Sequence, residues 1–560
     1  GLNVDNYMTK VEAAKAEDAT YDVDVVIVGA GGAGMTSALT AAEKGAKVII
    51  VESQAAVGGN SVRATGGMNA GDTPYQDNAA FAQAAGVEKT LAGIGAYADN
   101  ETIVKLADEV KVQWAAYQQN PEGYFDSEEL MQLDTMIGGK GINNPELVKV
   151  LAENSAEGVE WLRNYNINLE NTGAFGGASV NRIHWPKVDG KKVSVGAYMI
   201  PLLEDACEAN ENITILFETT ANEIIMVDGA AKGIKATGKT GNTVTVNADA
   251  VVIAAGGFGA NLDMVASYKP ELKGFMTTNA AGLQGQGIAM AEAIGAATVD
   301  MEQIQIHPTV QADTAALITE GLRGDGAILV NQGGKRFVNE LETRDVVSAA
   351  ELAQEGGYAW TVVDQKMMDA SSTYNGYYTK GFAVKGETVA ELAAAMGTDA
   401  AVLTETLNTW NAAVAAQKDE EFGRMSFANA LDTAPYYAVK VAPGIHHTMG
   451  GLKINTAAEV LTEAGEAIPG LFAAGEVTGG VHGGLVHLVG EQVVDSFLPN
   501  GIGFAHGDAN IGVDHIGTLG CCHRIGDEFQ NSTGFGSNGL ALSDQLRIGE
   551  ISLRRTGYEV

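Results

Sequence analysis

Cysteine is scarce in this chain of 560 residues: three in all, Cys207 and the adjacent pair Cys521 and Cys522. So few thiols exclude a disulfide framework, and the sequence holds neither a C-x-x-C-H haem-attachment motif nor a Cys/His spacing suited to a metal site. No uncharged apolar run approaches the roughly 18 residues that a membrane-spanning helix needs. Lys and Arg number 35 against 70 Asp and Glu, a formal net charge of −35. That balance excludes nucleic acid as a partner, because phosphate binding needs clustered cations. It suits docking to a basic redox partner and serves solubility equally well. Histidine is rare too, nine in all.

Glycine, by contrast, is abundant (71), and 46% of residues are hydrophobic, a composition that suits a large α/β enzyme with many tight turns. The length exceeds what one core usually supports, so two or more domains are expected. The chain is organised around VDVVIVGAGGAGMTSALTAAEKGAKVIIVE, Val23 to Glu52. Two apolar runs without polar alternation flank an Ala-rich helical segment, the pattern of a βαβ unit in a doubly wound sheet covered on both faces. Gly29, Gly31 and Gly34, with Gly32 between them, form the G-x-G-x-x-G turn that lets a pyrophosphate approach the backbone at a helix N-terminus. Glu52 ends the second strand, where an acid accepts from ribose hydroxyls. The reading is a dinucleotide site.

Along the chain, residues 1–20 read as an N-terminal arm. Val57 to Gly71 (VGGNSVRATGGMNAG) is a Gly-rich loop expected to pass the cofactor at Gly59, Asn60, Ser61, Thr65, Gly66 and Gly67. From Glu88 to Asn171 the apolar spacing is helical. Ile213 to Val246 alternates, as antiparallel strands joined by Gly turns do. Asp249 to Asn261 (DAVVIAAGGFGAN) is a buried strand running into glycine, expected to meet the cofactor at Ala255 and Gly256. A segment of different texture, 302–447, carries QIHPT, LITEGLRGDGAILVN, ETRD and HHTMGG, and PGLFAAGEVTGG (Pro469 to Gly480) then resumes the glycine-rich style at Gly475 and Glu476. The expected fold class is α/β: a discontinuous Rossmann-like FAD-binding domain, 21–301 and 448–507, with an inserted α+β capping domain at 302–447. Residues 508–560 keep no clear period and are an unassigned tail.

Taken together, these blocks resemble the flavoprotein subunit of the fumarate reductase and succinate dehydrogenase family, in particular its soluble fumarate reductases of the flavocytochrome c type. The resemblance runs from Tyr21 to His482 and also includes FGGASV. It implies FAD, with a capping domain closing over a dicarboxylate beside the isoalloxazine ring. Ser53 to Asp77 contain no histidine, whereas membrane-bound members tether FAD through one there, so non-covalent FAD is expected. The reaction implied is reduction of a C=C bond conjugated to a carboxylate, fumarate to succinate in the simplest case. FAD would supply the hydride, and the protein orientation, electrostatics and a proton.

The same resemblance assigns residues. His307, Thr319 and His446 bind substrate, and His447 lies nearer the flavin. Arg344 of ETRD is the proton donor, fed by Glu320 and Arg323, whose spacing would place both on one face of a helical turn. The bland alternative for Arg344 is a surface salt bridge to Glu342 or Asp345. Arginine is effectively never deprotonated at equilibrium, so the role requires an acceptor as basic as a carbanion and immediate reprotonation. Thr448, Met449, Gly450, Glu476 and Thr478 match segments that hold a sodium ion in some relatives.

After His482 the pattern departs. Relatives continue HGANRLGGN, in which the arginine clamps the second carboxylate. Here the chain reads HGGLVHLVGEQ, with Val486 or His487 at that position, and neither is a planar, bidentate cation. Two readings stay open: another enoate, of the urocanate or acrylate type, or an end of chain that is not the natural one. From a different class, the chain could be a flavin-binding electron-transfer module with a decayed catalytic site. Electrons must come from a separate donor, a cytochrome, a flavin domain or reduced flavin. The acidic surface and the scarce cysteine favour an exported protein over a cytoplasmic one.

Overall fold

Val25, Val26 and Ile27 are fully buried, and Val28 nearly so, because the strand Ala19–Val28 is paired on both edges and covered on both faces. A computed structural model of the chain describes residues 16–173 and 178–484, all of which fall in one contact-defined unit, Gly1–Phe504. Part of the FGGASV block, Val486, His487, Cys521, Cys522 and residues 508–560 lie outside the described residues. Ala19–Val28 pairs in parallel with Val48–Val51 on one side and Thr243–Ile253 on the other. Ile213–Leu216 and Ala467–Ala473 extend the parallel sheet outward. The strands Thr220–Val227 and Ala230–Thr237 attach to Thr243–Ile253 as an antiparallel hairpin, in the alternating segment of the sequence.

Between the first two strands the chain turns into the helix Gly32–Glu43, and two glycines make this possible. Gly29 has φ +105°, and a Cβ there would lie 2.5 Å from the Ala254 carbonyl oxygen on the neighbouring strand. A Cβ on Gly34 would come 1.9 Å from the Gly29 carbonyl oxygen, so only glycine lets the helix settle onto the turn. The helices Ala84–Ala92, Glu101–Gln119, Glu128–Gly138 and Pro145–Leu162 occupy the segment with helical spacing. Asn100, Ser127 and Asn144 cap the last three of these through side-chain oxygens. Among the described residues no helix is long and apolar enough to cross a membrane.

A second sheet is wholly antiparallel. Ile304–Gln311 pairs with Tyr436–Thr448, which also pairs with Ala359–Asp364 and Ala383–Gly386, and Ala359–Asp364 pairs with Ile328–Val330. Trp410, Leu403 and Leu392, from the helices Ala400–Ala416 and Val389–Met396, are buried in one core with Val362 and Ala438 of this sheet. Beside that core lies a buried charge network. Arg336 grips Glu340 with two N–H bonds, Nε to Oε1 at 2.8 Å and Nη2 to Oε2 at 2.9 Å. It also reaches Asp419 at 3.0 Å, while Arg424 donates to Glu340 Oε2 at 3.1 Å. Both guanidinium groups lie over the Trp410 ring, at 5.0 and 4.6 Å.

Burial alone would raise the Glu340 carboxyl, but Arg336 and Arg424 outweigh it and hold it below its ordinary value. The folded protein therefore binds fewer protons at Glu340 than the unfolded chain does, and its contribution is complete above the unfolded value and is lost as pH falls through the folded one. Glu340→Gln leaves two buried cations undercompensated. It is expected to cost about 3 to 5 kcal/mol, measured as a lower midpoint in urea at pH 7, and to flatten the decline of stability on acidification.

Candidate active site

A cleft of about 330 Å³ opens where the βαβ turn meets the loop after it and the strand ends at Ala254 and Ala474. Gly29, Gly31, Gly32, Glu52, Gly59, Asn60, Ser61, Ala255, Gly256, Gly475 and Glu476, all expected at the cofactor, line it. The helix Gly32–Glu43 has no side-chain cap from Gly31, and its first residues face the cleft, leaving amide donors and the positive end of the helix dipole for an anionic group. Glu52 is tied in place: Oε2 accepts the Ala30 N–H at 2.8 Å and Oε1 the Gln54 N–H at 2.8 Å. Asn60 links three segments, donating to Asn279 at 2.6 Å and Glu476 at 3.2 Å and accepting the Ala280 N–H at 2.8 Å. These residues fit a dinucleotide.

Gly34 does not line the cleft; its role is the close packing beneath the turn. Thr65, Gly66 and Gly67 are also outside the lining, with Gly67 pressed against the strand Ile183–Trp185, where a Cβ would lie 2.5 Å from the His184 carbonyl oxygen. Sequence reasoning missed Thr219, Ala221 and the run Ala280–Leu283, which complete the wall. The one signal for that run was its alanine and glycine content, since it contributes backbone rather than chemistry.

The second constellation is built on the pairing of Ile304–Gln311 with Tyr436–Thr448. Gln305 stands opposite His447 and Ile306 opposite Ile445, so His446 is the extra residue of a bulge. A bulge re-aims a side chain, and here it brings the His446 ring to 5.0 Å from that of His307. His447 instead meets His482, 5.5 Å between ring centres. Pro308, lacking an N–H, sits in a second irregularity between His307 and Val310.

Arg344 opens the helix Arg344–Leu352 and is buried. It makes neither of the surface bridges its sequence neighbours offered. Its Nε donates to Glu320 Oε2 at 2.7 Å and its Nη1 to Gln305 Oε1 at 2.7 Å, while Asp345 faces Lys140 at 3.4 Å. Glu320 is the N-cap of the turn Gly321–Gly324, and Arg323, on the same turn, approaches Glu320 Oε1 at 3.3 Å. His307 Nε2 lies 3.9 Å from Glu320 Oε2. Thr319, also buried, accepts from the Gly321 amide and donates its own N–H to the Tyr377 hydroxyl at 2.9 Å.

His307 Nδ1 accepts the Thr309 N–H at 3.1 Å, so in the neutral ring Nε2 carries the hydrogen. Burial, then the positive charge of Arg344, holds both His307 and His446 well below the ordinary histidine value, so both rings are neutral at pH 7; His446 Nδ1 shares a hydrogen bond with the Thr278 hydroxyl at 2.7 Å. His307 Nε2, Arg344 Nη2 and Gln305 Nε2 are buried with no hydrogen-bond partner among the described residues. Buried donors are costly unless satisfied, and three of them around one guanidinium form a receptor for an anion.

Thr448–Gly450 and Glu476–Thr478 converge. The Thr448 N–H reaches Glu476 Oε1 at 3.2 Å, and Leu452 bridges to Thr478. Both oxygens of Glu476 accept from donors, Oε1 here and Oε2 from Asn60. Among the described residues no cluster of three or more His, Cys, Asp or Glu side chains is placed to bind a metal.

Comparison with known proteins agrees with this geometry. The FAD binding domain family model matches residues 24–120 and 112–487. A cytochrome-type fumarate reductase from Shewanella frigidimarina is 41% identical over 473 residues, covering 84% of this chain and 75% of that protein. An NADH:fumarate oxidoreductase from Klebsiella pneumoniae (strain 342) is 40% identical over 462 residues, but the 82% of this chain that aligns spans only 45% of that longer protein. Among solved structures, the open conformation of a flavocytochrome c3 fumarate reductase superposes with a TM-score of 0.64 at 37% identity, covering 89% of this chain and 79% of that one. A dinucleotide cleft, a buried Arg–Glu–Arg group and this degree of likeness make one case: the chain belongs to the FAD-binding flavoprotein family of the fumarate reductases, with an α/β FAD-binding domain and a capping domain.

Proposed function

We propose that this chain reduces the C=C bond of an unsaturated carboxylate, most simply fumarate to succinate, with residues 302–447 as the capping domain. The observation that carries the reading is the set of buried, unsatisfied donors, His307 Nε2, Gln305 Nε2 and Arg344 Nη2, around one guanidinium. FAD, held without a covalent tether by the cleft that Gly29, Glu52 and Asn60 line, would supply the hydride for one carbon of the double bond. His307, His446 and Thr319 hold a carboxylate and favour the negative charge that develops on it. Neutral imidazoles suit this task, since they donate without competing for the proton. Arg344 gives a proton to the other carbon from Nη2, the nitrogen left open, and Glu320 and Arg323 return one to it. The pocket keeps that guanidinium out of water, so the transferred proton comes from a fixed group rather than from solvent.

The same reading extends to a sodium ion held by carbonyl oxygens of the 448–450 and 476–478 turns, to an electron donor outside this chain (a cytochrome, a flavin domain or reduced flavin), and to an exported location. The absence of arginine at Val486 or His487 favours an enoate other than a dicarboxylate as the second candidate. Loss of one bidentate carboxylate contact costs about 2 to 4 kcal/mol of binding, so a substrate with a single carboxylate would lose less.

The test is direct: reduce the FAD-loaded protein with dithionite and viologen, then follow flavin reoxidation on adding fumarate, urocanate or acrylate. Fumarate is expected to reoxidise it; a protein that keeps its flavin but is reoxidised by no enoate would be a decayed module. Arg344→Ala is expected to lower turnover by about a hundredfold or more with the flavin absorbance unchanged, and an active Arg344→Ala protein would remove the donor assignment. Gly34→Val, which drives a side chain into the Gly29 carbonyl, is expected to yield colourless protein.

A further inference from the structure

The helix that begins with Arg344 carries a second buried acid that the reaction just described does not use. Glu351 lies on Arg344–Leu352 seven residues after the proton donor, and Ser348 lies between them, so the three fall on one face of the helix. All three are buried, Ser348 and Glu351 completely. Among the described residues Ser348 Oγ has no hydrogen-bond partner, and neither oxygen of Glu351 makes a well-formed hydrogen bond. No ion pair forms within 4.0 Å of Glu351 among the described residues; the charge whose field acts on it most is that of Arg323, from the turn Gly321–Gly324, and the strand Ala359–Asp364 presents the Ala359 amide to it. Burial outweighs both and holds the Glu351 carboxyl well above its ordinary value. Arg323 in turn has Nε without a hydrogen-bond partner, and its Nη2 has only the 3.3 Å ion-pair approach to Glu320.

A carboxyl kept neutral by its surroundings is a proton store, not a structural counterion, because a counterion must be charged to act. Glu351 lies in the last turn of its helix, and the next two residues in sequence, Leu352 and Ala353, are exposed.

We propose that Glu351 is the outer station of the proton relay, holding the proton that reaches the substrate through Arg323, Glu320 and Arg344. This rests on the enoate reductase reading. In each turnover one proton leaves the Glu351 carboxyl. Arg323, Glu320 and Arg344 each take one and give one, and one C–H bond forms on the substrate. The Glu351 carboxylate left behind is reprotonated from bulk water, and no electrons move along this path. Glu351 is a relay residue rather than a catalytic one, since it touches neither substrate nor cofactor.

The test uses the full-length, FAD-loaded protein with Glu351→Gln, which keeps the shape and removes the transferable proton. The expected result is a fall in kcat of about tenfold or more at pH 7, with KM and the flavin spectrum unchanged and with the pH dependence of kcat altered. An infrared carbonyl band of a protonated carboxyl, present in the unsubstituted protein at pH 7, is expected to vanish in the variant. Glu351→Asp, which restores a carboxyl, is expected to recover part of kcat, and it carries the same test if the Gln variant does not fold. An unchanged kcat and pH profile in Glu351→Gln, or no protonated-carboxyl band attributable to Glu351, would overturn the proposal. The unsubstituted protein is assayed alongside with fumarate, urocanate and acrylate, so failure of the reductase reading shows there, independently of the infrared result.

Discussion

The contact on which the rest depends is the 2.7 Å bond between Arg344 Nε and Glu320. Both groups are almost wholly buried, and a guanidinium in such a place is tolerated only beside a carboxylate, because an isolated charge in low dielectric costs several kcal/mol. Glu320 also faces Arg323 at 3.3 Å, so one carboxylate serves two cations. That arrangement is poor in pure stability terms, since an apolar trio of similar volume would be easier to bury. It leaves a surplus of positive charge among the described residues, with Arg344 anchored on Nε and Nη1 and open on Nη2.

The antiparallel pair Ile304–Gln311 and Tyr436–Thr448 makes this anchoring rigid. Gln305 fixes the Arg344 fork from one strand, and the bulge at His446 places a second ring next to His307 from the other. A site built on paired strands holds its donors more closely than one built on loops. The charged network of Arg336, Glu340, Asp419 and Arg424 sits in the same segment but is fully paired. The contrast separates structure from chemistry: in the paired network each carboxylate is gripped by a guanidinium, whereas around Arg344 donors are left over.

Much of this was legible in the sequence, and the parts that were not share a physical cause. The βαβ unit announces itself because two continuous apolar runs joined through Gly29, Gly31 and Gly34 suit few local structures besides this one, and Glu52 followed at the distance such a unit requires. Glu320 and Arg323 could be set on one turn by their spacing alone. His446 was visible as a residue but its bulge was not, because register is decided by the partner strand. Gln305 was invisible because a glutamine beside a histidine carries no signal until a guanidinium is found against it. The wall at Ala280–Leu283 acts through its backbone, which one-letter sequence does not display. Glu351 was hidden for the opposite reason: an acid near the end of a nine-residue helix reads as solvated, and its burial is a tertiary fact.

The two reactive halves of the chain are thus specified by different kinds of physics. The cofactor cleft is made of backbone: amides at a helix start, glycines that admit no Cβ, and small residues along the wall. The cluster around Arg344 is made of side chains, brought together from the turn Gly321–Gly324, the helix Arg344–Leu352 and the strand Ile304–Gln311. Backbone sites tolerate change poorly but vary little in what they bind, since any dinucleotide presents the same pyrophosphate. Side-chain sites can be retuned by single substitutions.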